Sequence, residues 1–309
     1  MRKTPAFTLS LSAAFVALGS WGCARQAPVT PATRADAHAQ TNAAPTPVWP
    51  GWEAVPDPGA DPEQLECSMQ GTGPIARLTR TPNQRVVAEV STTRAVTREA
   101  LPFDDIVGLP PDALGARQVL AVKGGALVAL DAGEFGAGLF FVASSTHRAA
   151  RLDRSDEPIR RIVALSFGIV GVSGLCHGDA CPSKSGLFRI EPSSRGSWRI
   201  EPLQRLDGCP ATVSVEPGNE ALLVGSCDAL RRISNSTVTL IAQWPSPLIP
   251  SAVEAAEENH TVAYYATFGR LVARFTEHEP ATWFAPSACP RLVRRADGWC
   301  ACATPSPAP

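Results

Sequence analysis

Four short motifs recur along the chain at nearly even spacing. Gly138-Leu139-Phe140-Phe141, Gly186-Leu187-Phe188-Arg189, Ala229-Leu230-Arg231-Arg232 and Gly269-Arg270-Leu271-Val272 each follow a turn and open an apolar run. Their leucines stand 48, 43 and 41 residues apart. One such unit holds several short strands and cannot bury both of its faces alone, so the units must stack on one another. A period of roughly 40–50 residues with short strands is the spacing of propeller blades, which close in a ring and leave only short edges. The sequence predicts an all-β chain: a β-propeller of about five four-stranded blades, with room for a sixth. An irregular pair of β-sandwiches with coincidental spacing is the competing architecture.

The best-preserved copy is ALLVGSCDALRRIS, Ala221 to Ser234. Leu222 to Val224 read as one strand, Gly225 to Asp228 as the turn, and Leu230 to Ile233 as the second strand. This stretch resembles bacterial propeller repeats of the two-component-regulator type, with an aliphatic pair, a small polar turn and Gly-Leu-x-Arg. Leu222–Gly225 and Leu230–Arg232 match, while Ala229 stands where that family commonly has glycine. The resemblance covers one unit clearly and implies a fold and a sensor or binding surface, not an activity. Arg231 and Arg232 read as an edge or solvent face.

From about Glu66 onward, short apolar runs with near period-two alternation are separated by turn residues. Examples are Arg85–Val90, Ala126–Asp131, Gly138–Ala143, Ala211–Val215 and Thr261–Thr267. About twenty strands are expected. The best helical candidate is SAVEAAEEN, Ser251 to Asn259, as one or two turns in a connection.

The first residues form a targeting segment. Arg2 and Lys3 precede an apolar stretch, Ala6 to Leu18, that is too short to span a bilayer as a mature helix. Ser20-Trp21-Gly22-Cys23 resembles the lipobox of bacterial lipoproteins, which implies lipid modification of Cys23. Trp21 and Ser20 depart from that pattern, and cleavage after Ala24 by ordinary signal peptidase is the alternative. Residues 1–23 are thus assigned to the signal. Residues 24–65, rich in Ala, Pro and Thr, are assigned to a disordered tether spanning roughly 30 Å or more. Trp49 and Trp52 are its exceptions and are expected to dock partly on the head. The propeller head is assigned to 66–303 and a disordered tail to 304–309.

An exported chain meets an oxidising compartment, so its cysteines are expected in disulfides rather than on metal. Pro217-Gly218-Asn219 is a strong turn, and reflection through Gly218 sets Cys209 opposite Cys227. Cys176 and Cys181 close a short loop. Cys67 near the start of the head is expected to bond one of Cys289, Cys300 and Cys302 near its end. Cys300-x-Cys302 has no second pair at zinc spacing, so no metal site and no cofactor are expected.

Charge is balanced at 28 basic against 29 acidic side chains, without the basic cluster that phosphate backbones require, so nucleic acid is excluded as a partner. Gly171-Val172-Ser173-Gly174 fails as a nucleophile elbow because Leu175 follows. Gly133 to Gly138 lacks the following helix of a phosphate loop. Asp104-Asp105 and Glu257-Glu258 read as solvated loop charge. His147 and His278 are spread thinly, and His177, Asp179 and His260 are the best available members of a site assembled across blades. No catalytic residue is assigned.

The expected function is that of an exported, membrane-tethered, non-catalytic propeller binding a protein or glycan in the bacterial envelope. It would be lipid-anchored at the outer membrane or cell surface, with the anchor as its membrane contact; a periplasmic or secreted protein is the alternative location. The alternative function is a propeller lyase or hydrolase with its site at the channel mouth. The sequence leaves the oligomeric state open.

Overall fold

The computed structural model describes residues 49–303 apart from 71–74, 93–97, 111–114, 133–136, 154–157, 176–184, 194–196, 219, 236, 245–247 and 278. Residues 1–48, with the expected signal segment and Cys23, and residues 304–309 lie outside the described residues, as do Cys176, Cys181, His177, Asp179 and His278.

The described chain opens with strand β1 (Trp52–Val55), a 3-10 turn at Pro58–Ala60 and helix α1 (Pro62–Met69). Asp61 caps α1, its Oδ1 accepting from the N–H groups of Glu63 and Gln64 at 3.2 Å. β2 (Ile75–Arg80) and β3 (Val86–Ser91) form a two-stranded sheet. Three four-stranded antiparallel sheets follow in chain order. The first holds β4 (Ala116–Val122), β5 (Gly125–Asp131), β6 (Ala137–Ala143) and β7 (Ala149–Arg151). The second holds β8 (Ile159–Leu165), β9 (Gly168–Gly174), β10 (Ser185–Pro192) and β11 (Trp198–Leu206). The third holds β12 (Pro210–Val215), β13 (Leu222–Ser226), β14 (Ala229–Ser234) and β15 (Thr237–Gln243). The next sheet runs β16 (Ala252–Glu258), β17 (Thr261–Phe268), β18 (Leu271–Phe275) and β19 (Thr282–Pro286), with β1 added beyond β19 as a fifth strand. A hairpin of β20 (Leu292–Arg294) and β21 (Cys300–Cys302) closes the described chain.

Each sheet packs on the next. β8 lies against β4 and β5, β12 against β8 and β9, β16 against β12 and β13, and β2 against β16 and β17. First strands of consecutive sheets therefore meet. The layering explains the apolar runs. Leu222 and Val224 face Val170, Val172 and Leu187 of the preceding sheet, while Leu223 faces Val253, Ala255 and Ala266 of the following one. A strand buried on both faces reads as continuous rather than alternating hydrophobicity. Gly225 is required by this stacking, since a Cβ there would meet Val253 Cγ1 at 2.7 Å and Pro250 Cγ at 2.9 Å. The far face of the β4–β7 sheet is covered by Leu101, Phe103, Ile106 and Leu109.

Two expectations need correction. Ser251–Asn259 is not helical: Ala252–Glu258 is strand β16. Its alternation buries Val253 and Ala255 against the neighbouring sheet and sends Glu254 toward Arg80, a pattern of period two that overrides the helix propensity of Ala and Glu. Residues 49–65, assigned to the disordered tether 24–65, are ordered. Trp49 and Trp52 are each 4% exposed, packed with Tyr265 and Phe284, and β1 and the start of α1 lie within residues assigned to it. Two indole rings bury enough apolar surface to order a segment whose remaining composition is polar and proline-rich.

The ends of the head are fastened together. Cys67 of α1 bonds Cys300, and Cys289 bonds Cys302. The Gln64 amide donates to Leu292 O and accepts from Leu292 N–H at 3.0 Å, while Gln70 Oε1 accepts from Cys300 N–H at 3.0 Å. These amides stand in for neighbouring strands along a hairpin that would be marginal alone. Cys209 and Cys227 are each disulfide-bonded, and the Cys209 N–H lies 3.4 Å from Cys227 Sγ. Among the described residues, no helix is long and apolar enough to cross a membrane.

Candidate ligand cleft

Alternation along β14 turns Leu230 and Arg232 toward the β16–β19 sheet, and Arg231 and Ile233 away from it. Neither arginine is a bare surface charge, contrary to the sequence expectation. Arg231 donates to both Asp228 oxygens, at 3.0 and 2.8 Å, and to Ser226 Oγ at 3.1 Å. Arg232 donates from Nε to Glu216 Oε1 at 2.9 Å and from Nη2 to Oε2 at 2.7 Å. Glu216, just past β12, is buried, and its Oε1 also accepts from the Tyr264 hydroxyl at 3.3 Å.

A second pair stands across the gap between the two sheets. Arg274 of β18 donates from Nε and Nη2 to Glu258 Oε2 at 3.0 and 2.9 Å, and from Nη1 to Glu279 Oε2 at 3.3 Å. The Tyr265 hydroxyl donates to Glu258 Oε1. Between these pairs lies a cleft of about 660 Å³, bordered by Thr239 and Ile241 of β15 and by Thr261 and Tyr264 of β17.

Burial first, and then the Glu216 carboxylate, pushes the Tyr264 phenol up to about 12, so the hydroxyl keeps its proton and remains a donor. The hydrogen bond to Glu216 raises Arg232 against the opposing effect of burial. Ion pairing thus fixes the orientation of the cleft's acceptors.

The β16–β17 hairpin forms the rim. Glu258 pairs with Thr261, leaving a two-residue loop of Asn259 and His260 with φ of 48° and 65°. Both central residues are left-handed, as a type I′ turn demands, although histidine occupies the position that glycine usually takes. The His260 side chain is 99% exposed and lies 4.0 Å from Glu257.

A second charged group sits where first strands meet. Arg80 of β2 approaches Glu254 Oε2 of β16 at 2.5 Å and donates to Val215 O at 2.7 Å. Burial is the largest influence on Glu254 and pushes its carboxyl above the usual range, opposed by Arg80 and Arg161.

Of the residues singled out from sequence, His260 and Glu258 reach the cleft. His147 stacks on Phe103 with ring centroids 4.1 Å apart and faces Asp105 at 2.5 Å, well away in the chain's first four-stranded sheet and its covering loop. Gly171–Gly174 lies within β9, where Gly171 makes room for the Phe188 ring. Among the described residues no group of three or more His, Cys, Asp and Glu side chains could hold a metal ion. Arg232, read from sequence as an edge or solvent face, also lines the cleft, and sequence reasoning missed Glu216, Tyr264 and Arg274. The available signal was a charge placed on the inward phase of an otherwise apolar strand, as at Arg232 and Arg274.

No family model matches the chain, and no curated protein matches it. Among solved structures it is similar to a chain of the hydrazine synthase of Kuenenia stuttgartiensis, at 14% identity and a TM-score of 0.33. The match covers 54% of this chain and 57% of that one, so the chain spans little more than half of that protein's length.

Proposed function

We propose that this chain is an exported five-bladed β-propeller, tethered to the bacterial envelope through Cys23, that recognises a partner at the cleft between its last two four-stranded units. The propeller reading is supported by consecutive sheets whose first strands meet, with β2–β3 as a reduced blade. The export reading is supported by the disulfides and by the targeting segment. Cys23 and the tether hold the head clear of the membrane surface.

The observation that carries recognition over catalysis is the pairing of Glu216 with Arg232 and of Glu258 with Arg274. Each guanidinium holds its carboxylate in one orientation and occupies part of its lone-pair capacity, which suits a fixed acceptor for a ligand better than a group that must move with a proton. The test is a pull-down from detergent-solubilised membranes with intact head and with Arg232→Ala, together with metabolic lipid labelling of Cys23→Ala. A specific partner lost on Arg232→Ala, and labelling lost on Cys23→Ala, are expected. Unchanged labelling would end the lipid-anchor claim, and capture indifferent to Arg232 would end the cleft claim.

Glu254 favours a second reading, a lyase or hydrolase acting where the first strands meet. A partly buried carboxyl above its usual range is the kind of group acid–base chemistry uses. Loss of a measured lyase or hydrolase turnover on Glu254→Gln would establish it.

A further inference from the structure

We propose that the outer edge of β15 takes an extended peptide as an added strand, with a lysine or arginine side chain of that peptide entering the cleft. This deepens the recognition reading above and rests on it.

Outer edges of sheets invite pairing, and proteins usually blunt them. Among the described residues, three of the four outer edges of the larger sheets are managed. β7 is three residues long, β11 carries Arg199, Glu201, Pro202 and Arg205, and β19 is covered by β1. β15 reads Thr237-Val238-Thr239-Leu240-Ile241-Ala242-Gln243, with no charge and no proline, and Leu240 is 51% exposed. The chain itself shows what such an edge accepts: β1 pairs antiparallel to β19, from Trp52 opposite Pro286 to Val55 opposite Trp283.

The cleft opens beside this same edge, because Thr239 and Ile241 line it. A residue paired opposite Thr239 in an added strand points to the same face, and therefore into the cleft. Main-chain hydrogen bonds would supply affinity and the cleft would read alternate side chains. Glu216, Glu258 and Glu279 line the cleft against Arg232 and Arg274, with Arg232 bonded to Glu216 and Arg274 shared between Glu258 and Glu279. The surplus is negative, and the polar ends that fit it are the donor-only cations of lysine and arginine.

The test uses the full chain and a fluorescein-labelled heptapeptide of alternating valine and lysine, read by anisotropy. Binding is expected, weakened by about tenfold or more when glutamate replaces lysine or when the edge-facing amides are N-methylated. Thr239→Lys and Glu279→Lys, both at exposed side chains, should weaken it similarly while leaving the unfolding midpoint unchanged. Equal binding of the glutamate peptide, or binding that survives N-methylation, overturns the proposal. So does a dimer that Thr239→Lys splits, since a second copy then fills the edge. A partner lost on Arg232→Ala but indifferent to Thr239→Lys and to the peptide would sink strand addition and leave the recognition reading standing.

Discussion

Arg232 and Glu216 are locked together across the β12–β15 sheet, with Nη2 of one 2.7 Å from Oε2 of the other and only 8% of the Glu216 side chain exposed. The pair is separated by 16 residues, and the hydroxyl of Tyr264, from the neighbouring sheet, completes the coordination of Glu216. It therefore joins two sheets as well as two strands.

Removing one partner strands the other. Arg232→Ala leaves a buried carboxylate without its counter-charge, and the expected cost is about 2–3 kcal/mol, below the full penalty of a fully buried pair because Arg232 is 29% exposed. The paired change Arg232→Met with Glu216→Leu should cost less than Arg232→Ala alone. Urea unfolding of the three chains checks the order.

Tyr264 predicts a fall in stability at high pH. Its phenol has a folded pKa of about 12 against an ordinary 10.0, so the folded state holds the proton more tightly. The contribution is complete below pH 10.0 and is lost as pH rises toward about 12. Tyr264→Phe should flatten the unfolding midpoint over that window. Ultraviolet titration should show that one of the chain's 2 tyrosines ionises late.

The Asn259-His260 turn carries a histidine at φ 65°. A left-handed conformation costs an L-residue about 1–2 kcal/mol relative to glycine, so His260→Gly should stabilise the chain by about 1 kcal/mol. If the same change weakens capture of a partner, the strained histidine serves the rim of the cleft; if capture is untouched, its part is confined to the turn. Urea midpoints and binding curves measured on one preparation separate the two.

The Cys67–Cys300 bond closes a separation of 233 residues, and Cys289–Cys302 one of 13. Chain-entropy scaling gives the first about 5 kcal/mol and the second about 3 kcal/mol. Replacing the first pair with serine should therefore destabilise the head more than replacing the second. Peptide mapping of a non-reduced digest should recover both bonds, together with a Cys209–Cys227 peptide. Recovery of Cys67 as a free thiol would remove the basis of the ordering.

Much of the fold was legible because strand propensity, turn chemistry and spacing agree along 221–234. Cys209 and Cys227 show how close the reading came and where it fell short. Reflection about Gly218 sets these two cysteines opposite each other, yet the ladder itself pairs Val215 with Leu222 and Thr212 with Gly225, half a residue out of that register. An irregularity between Pro210 and Thr212 shifts the pairing to Pro210 opposite Ser226, and so brings the cysteines level. A bulge of that kind leaves no mark in composition. β16 was misread because Ala and Glu favour helices, and only its neighbours on either side make it a strand. The cleft was not legible for a different reason. Glu216, Arg232, Tyr264 and Arg274 come from four separate strands or strand ends of two sheets, and each taken alone looks like strand surface. Sequence shows which phase of a strand a charge occupies, but not which carboxylate waits on the sheet beyond.

The position of β1 bears on how such a head is made. Trp49 and Trp52 rest on Phe284 and Tyr265, and among the described residues β1 pairs with β19 alone, more than 200 residues along the chain. A polypeptide made from its amino terminus forward presents these tryptophans more than 200 residues before Phe284 and Pro286. Until then their indoles have no seat and the final sheet has no outer strand. The first strand of the described chain is thereby left waiting on one of the last, and the sheet they share cannot be finished before residues 282–286 have been made.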